Sequence, residues 1–160
     1  MQTLKMEKVM IALDYDPTAQ KVAEIGFALA AAMKAEVILV HVITDIKYYS
    51  SLAYSPIVGY TGMMALNQVK KDSIGSLIHA SNHFLDTMKD HLGDKAIKTI
   101  VLEGDFAESI INTAKKQNAD IIVMGSHSKK MLENILLGSV TEKVLHESDI
   151  PLFIVPTKKQ

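Results

Sequence analysis

The chain has 160 residues, 48% of them hydrophobic and 22% charged, with a formal net charge of −1 and no cysteine. That describes one globular domain, residues 1–160, able to bury a core without staples, and it excludes a largely disordered chain. The near-neutral balance argues against a dedicated nucleic-acid binder, and the missing cysteines exclude a disulfide framework, a thiolate nucleophile and a Cys-ligated metal.

Met1 to Lys8 carries charge without an apolar core or cleavage signature, so no secretory signal is expected. Runs such as Val37 to Val42 are far too short to span a bilayer. The expectation is a cytoplasmic protein with neither membrane nor nucleic acid among its partners.

In chain order, Val9 to Leu13 is the first predicted strand. A helix follows from Asp16-Pro17, a capping residue before a proline at the first helical position, and runs to about Lys34. Val37 to Val42 is the second strand, and a second helix covers roughly Met63 to Leu92. Ile97 to Leu102 is the third strand. The third helix opens on Asp105 with Glu108 three residues on, a capping-box pattern, and ends near Gln117-Asn118. Ile121 to Met124 is the fourth strand. The fourth helix opens on Ser139 with Glu142, again a capping box, and ends before Pro151; Leu152 to Val155 is the fifth strand. Runs rich in Val and Ile with little alternation suit strands covered on both faces. Each crossover is long enough for a right-handed βαβ unit. The pattern predicts an α/β fold with a single doubly wound, five-stranded parallel sheet and helices on both faces.

Thr44 to Gly62 joins the second strand to the second helix and holds Tyr48, Tyr49, Tyr54, Pro56 and Tyr60 without a clear period. A connection this long is more often functional than average. A lid, a plain insertion and a subunit contact all fit it.

The stretch that carries chemistry is Gly125-Ser126-His127-Ser128-Lys129-Lys130, followed after Met131 to Leu137 by Gly138-Ser139-Val140-Thr141-Glu142. It runs from the end of the fourth strand to the start of the fourth helix. Glycine lets a backbone approach an anion closely, and a helix N-terminus offers unpaired N–H groups at the positive end of a dipole. Ser139 and Thr141 add hydroxyls, and Lys129 and Lys130 add positive charge. The combination suits phosphate binding. The blander alternative is that Ser139 and Glu142 only cap a helix and Gly125 only turns the chain. The stretch is neither a Walker A motif nor a GxGxxG fingerprint.

The segment MGSHSKKMLENILLGSVTEKVL, and the chain over nearly its whole length, resembles the universal stress protein family. ATP-binding members of that family carry G-x2-G-x9-G-[ST] between the fourth strand and fourth helix. Here Gly125 and Gly138-Ser139 stand at matching spacing, and Ser128 replaces the second glycine. The resemblance implies a Rossmann-like fold of the adenine nucleotide alpha hydrolase type and ATP, or ADP or AMP, as the ligand, with Mg2+ as its companion cation. It implies that Ala12, Leu13 and Asp14 lie near base and ribose and that the Val42 backbone reads the adenine edge. Met124, Gly125, His127, Ser128 and Lys129 would line the ribose and phosphates, and Gly138, Ser139, Val140 and Thr141 would hold the phosphates. It also implies a homodimer formed through the last strand, Leu152 to Val155, a link to the stress response, and an unidentified protein partner. At Ser128 a side chain can obstruct a phosphate that glycine would admit, or its hydroxyl can donate to one.

Other residues carry weaker signals. Asp14 can accept from a ribose hydroxyl, help hold a phosphate-bound metal, or simply order its loop. His127 can donate to a phosphate or act as acid or base, but with no carboxylate partner evident an exposed loop histidine is the plainer reading. His79, His83, Asp86 and Asp90 share one face of the second helix, almost opposite the apolar stripe of Leu66, Ile74, Leu77, Leu85, Met88 and Leu92. A solvated face, rather than a metal site, is expected there.

Three functions follow. The first is a nucleotide-binding regulatory protein, dimeric and switched by its ligand. The second is an interaction module of the same family that does not bind ATP, its site closed by Ser128. The third is an enzyme hydrolysing ATP slowly with a metal, ranked last because Asp14 and His127 form no evident base and orienter.

Overall fold

The computed structural model describes residues 1–44, 74–126 and 137–157. Its five strands are β1 (Lys8–Ala12), β2 (Glu36–Ile43), β3 (Lys98–Glu103), β4 (Ile121–Gly125) and β5 (Leu152–Val155). Among the described residues the helices are α1 (Ala19–Met33), α2 (Ile74–Leu92), α3 (Phe106–Lys116) and α4 (Ser139–Glu147). The strands form one sheet in the order β3-β2-β1-β4-β5, and every neighbouring pair is parallel. The expected doubly wound architecture is present.

The central strand sets the two cores. Side chains alternate across a strand, so Val9 and Ile11 of β1 point to one face and Met10 to the other. On the first face α1 supplies Val22, Ala23 and Ala30, and α2 supplies Leu77, Phe84, Leu85 and Met88. On the second, α3 supplies Ala107, Ile110, Ile111 and Ala114, and α4 supplies Val144. Gly26 lets α1 lie against the sheet, since a Cβ there would sit 2.7 Å from Ile11 Cδ1 and 2.9 Å from its Cγ1.

The helix starts differ from the expectation in two places. Asp16 does not cap α1. Its Oδ1 accepts from the Thr18 N–H at 2.9 Å and the Thr18 hydroxyl at 2.7 Å, while the Ala19 N–H donates to its carbonyl at 2.9 Å. Asp16-Pro17-Thr18-Ala19 is thus a β-turn with Asp first and Pro second, where proline's fixed φ belongs, and α1 begins only after it. Ser139 does not cap α4 either. Gly138 does, in extended conformation (φ −65°, ψ 152°), and accepts from the Glu142 N–H at 2.9 Å. By contrast, Asp105 caps α3 as read, its carboxylate accepting from the Glu108 N–H at 3.0 Å. The α1 stop is also as read, with Lys34 left-handed at φ 55°.

The third strand starts one residue later than expected, because the Ile97 N–H closes a turn on the Asp94 carbonyl. The second helix is described from Ile74. Its expected beginning and the Tyr-rich connection, residues 45–73, lie outside the described residues.

Candidate functional site

The strand order brings the chemistry to one edge. β1 is followed by α1 on one face of the sheet and β4 by α4 on the other, so the C-terminal ends of these neighbours form the switch point at which open α/β sheets place a ligand crevice. Ala12, Leu13 and Asp14 come from β1, Met124 and Gly125 from β4, and Val42 from the next strand out. Gly138 to Thr141 are brought in by hydrogen bonds. The Gly138 N–H donates to the Ser126 carbonyl at 2.7 Å, and the Thr141 hydroxyl to the Gly125 carbonyl at 2.9 Å. The two ends of the segment between Gly125 and Gly138 are therefore tied together beneath the start of α4. His127, Ser128 and Lys129 lie outside the described residues.

The side chains at this edge divide by role. Val42 and Met124 are buried in the α3–α4 core. The single hydroxyl proton of Thr141 is engaged by Gly125, while Ser139 is exposed at the first position of α4. Because Gly138 has no side chain, it contributes no cap to the N–H groups of the first turn, the place where a helix attracts anions. Gly125 is also needed for packing, since a Cβ there would meet Thr157 Cγ2 at 3.1 Å and Val22 Cγ2 at 3.2 Å.

Asp14 is exposed at the crevice. Its Oδ1 accepts from the Asp16 N–H at 3.1 Å. The surrounding protein, followed by the negative charge of Asp16, pushes its carboxyl up to about 6. It offers an acceptor to hydroxyl groups at neutral pH.

Two features of the site were not read in the sequence. The first is His41, 2% exposed, whose Nδ1 lies 2.7 Å from the Leu13 carbonyl. Burial holds its imidazole down at about 4, against the opposing pull of that carbonyl. The signal was an imidazole inside an otherwise apolar run. The second is a buried pair at the end of β4. Ser126 Oγ lies 3.3 Å from Thr157 Oγ1 and accepts from the Thr157 N–H at 3.0 Å, joining the end of β4 to the chain after β5.

The four residues of the His/Asp stripe on α2 are all exposed, as a solvated face requires, and no cluster with metal-ligand geometry occurs among the described residues. No described helix is long and apolar enough to cross a membrane.

The chain is similar to universal stress proteins throughout. Universal stress protein MJ0577 of Methanocaldococcus jannaschii is 30% identical over 155 residues, covering 95% of this chain and 96% of that one. Its solved structure superposes with a TM-score of 0.72 over 98% of this chain. Universal stress protein A of Escherichia coli is 24% identical over 95% of both chains. Two solved structures share the fold at lower identity. One, a universal stress protein in complex with cAMP, is 18% identical with a TM-score of 0.64 over 97% of this chain and all of that one. The other, from Archaeoglobus fulgidus in complex with dAMP, is 17% identical with a TM-score of 0.55 over 94% and 98% of the two chains. The family model described as Universal stress protein family matches residues 5–156, and the chain belongs to that family.

Proposed function

We propose that the protein is a single-domain, cytoplasmic regulator of the universal stress response that binds an adenine nucleotide at the β1–β4 crevice and acts as a ligand-dependent homodimeric switch. The observation that carries this reading is the closure of the Gly125–Gly138 segment. The 2.7 Å bond from Gly138 to Ser126 sets the open end of α4 at the end of β4, beside the strand that carries Asp14. One end of the crevice suits phosphates and the other suits a hydroxylated sugar. That two proteins of this fold were solved with adenine nucleotides supports the ligand class.

In this reading Asp14 accepts from the ribose, the Val42 backbone meets the adenine edge, and Ala12, Leu13 and Met124 line the base and ribose. Gly125, His127, Ser128, Lys129 and the first turn of α4 hold the phosphates of ATP, with Mg2+ as counter-ion. No residue performs covalent chemistry. The switch is a nucleotide-dependent change passed through Ser126 and Thr157 to the β5 edge where a second copy pairs.

The first experiment is to denature freshly purified protein, identify any released nucleotide, and titrate the nucleotide-free form with ATP and Mg2+ by calorimetry. Released adenine nucleotide or saturable binding supports the reading. No nucleotide and no heat would turn the assignment to an interaction module of the same family. That second reading is favoured by Ser128 alone, where the binding motif has glycine. If Ser128 obstructs the phosphates, Ser128→Gly strengthens ATP binding; unchanged or weaker affinity rejects obstruction and favours a donating hydroxyl.

A further inference from the structure

We infer that His41 is the positioning residue of this crevice: from inside the core it holds the Leu13–Asp14 peptide, and so aims the Asp14 carboxylate to select ribonucleotides over deoxyribonucleotides. The inference rests on the nucleotide reading above and adds to it a residue and a specificity.

The paired register of β1 with β2 ends at Ala12 opposite Val40, and the Leu13 N–H closes it on the Val40 carbonyl at 2.9 Å. β2 runs on to Ile43 beside β3. At this step between strands, the Leu13 carbonyl takes a hydrogen bond from the His41 imidazole at 2.7 Å. A carbonyl can only accept, so Nδ1 carries the proton and Nε2 is bare. Nε2 is buried without a hydrogen-bond partner. An apolar side chain would serve the core better than a ring with an unsatisfied acceptor. The imidazole therefore contributes through Nδ1, which fixes the plane of the peptide leading into Asp14.

The ring itself cannot swing. Tyr15 lies 4.2 Å away centroid to centroid and Phe84 5.8 Å away edge-on, and the Tyr15 hydroxyl is hydrogen-bonded to Ser81 of α2. Beyond Asp14 the chain is held by the Asp16 N–H on Asp14 Oδ1 and by the turn that Asp16 closes on Thr18. Asp14 is thus pinned on both sides, and its other oxygen is the one left to accept from a ligand hydroxyl. A site built to hydrogen-bond a hydroxyl discriminates against the analogue lacking it.

The test compares ATP and 2′-deoxy-ATP by calorimetry on the full chain. Wild type is expected to prefer ATP by roughly tenfold or more, the scale of one charge-assisted hydrogen bond. His41→Phe keeps a ring against Tyr15 and Phe84 but loses the donor, and should collapse that ratio while weakening 2′-deoxy-ATP little. His41→Asn, whose Nδ2 can stand where Nδ1 does, should restore the ratio. Equal weakening of both nucleotides in His41→Phe, or an unchanged ratio, overturns the inference. A second readout needs no ligand: the midpoint of the Asp14 carboxyl titration by NMR should fall toward its ordinary value in His41→Phe and return in His41→Asn. If wild type binds neither nucleotide but this midpoint moves, His41 positions Asp14 and the nucleotide reading, with its ribose selectivity, is wrong. If it does not move, the positioning itself is wrong.

Discussion

At the scale of single residues, two titratable groups at the crevice respond to acid in opposite senses. Asp14 is ionised above about pH 6 and takes a proton as the pH falls through that value, losing the charge that strengthens its hydrogen bonds. Nucleotide affinity is therefore expected to fall between pH 7 and pH 5. Asp14→Asn should bind roughly tenfold more weakly at pH 7 and lose most of this pH dependence, as calorimetry at three pH values will show. A wild-type affinity independent of pH would mean that Asp14 does not touch the ligand. His41 acts on stability instead. Its folded value of about 4 lies below the ordinary 6.5, so its contribution is complete above pH 6.5 and is lost as the pH falls toward 4, because the unfolded chain takes the proton first. The loss amounts to about 3 kcal/mol over that window. Asp14, raised rather than lowered, opposes part of it, since the folded state binds that proton first. Urea melts of His41→Phe should show a stability that rises relative to wild type as the pH falls from 7 to 4.5, because the variant has no imidazole to protonate on unfolding. A difference constant with pH would refute the buried neutral imidazole.

At the scale of elements, the two helix starts that look alike in sequence separate in the structure. Asp105-x-x-Glu108 and Ser139-x-x-Glu142 share a capping-box pattern, but only the first is a cap. The second is displaced one residue because the Gly138 N–H is held by the Ser126 carbonyl, a contact between segments far apart along the chain. Asp105→Ala should cost about 1 kcal/mol in urea denaturation. Ser139→Ala should change stability by less than about 0.5 kcal/mol yet weaken nucleotide binding if its exposed hydroxyl faces the phosphates. A cost for Ser139→Ala matching that of Asp105→Ala would restore Ser139 as a structural cap. The start of α1 teaches the same lesson, for Asp16-Pro17 fits a helix start and a turn equally well. The bonds of Asp16 select the turn: its carboxylate accepts from Thr18, its N–H donates to Asp14, and its carbonyl accepts from the Ala19 N–H.

At the scale of the whole molecule, β5 is an edge strand, with Phe153 37% exposed on it and Leu145 47% exposed on the neighbouring α4. An unpaired edge is a template for another chain unless covered. In the proposed homodimer, Phe153→Asp should give a monomer by sedimentation with unchanged far-UV circular dichroism. A dimer that survives this change would move the interface elsewhere. The Ser126–Thr157 pair joins this edge to the end of β4, so under the proposed function monomerisation should also alter nucleotide affinity.

The amino-acid sequence alone determined the type and order of the described elements, because buried parallel strands are continuous apolar runs and amphipathic helices carry a local period, both of which neighbouring residues suffice to reveal. It also made legible the glycines, Asp14 and the helix start that face one sheet edge, since strand–helix alternation forces those ends together. The tertiary structure decided which of the candidate capping residues cap. It also decided that His41 bonds to Leu13 across the β1–β2 step, and that Ser126 and Thr157 meet between the end of β4 and the chain after β5. The last two, like the Gly138–Ser126 bond that sets the start of α4, are hydrogen bonds between segments distant in sequence, formed only once the sheet has set their register, and no local pattern encodes them.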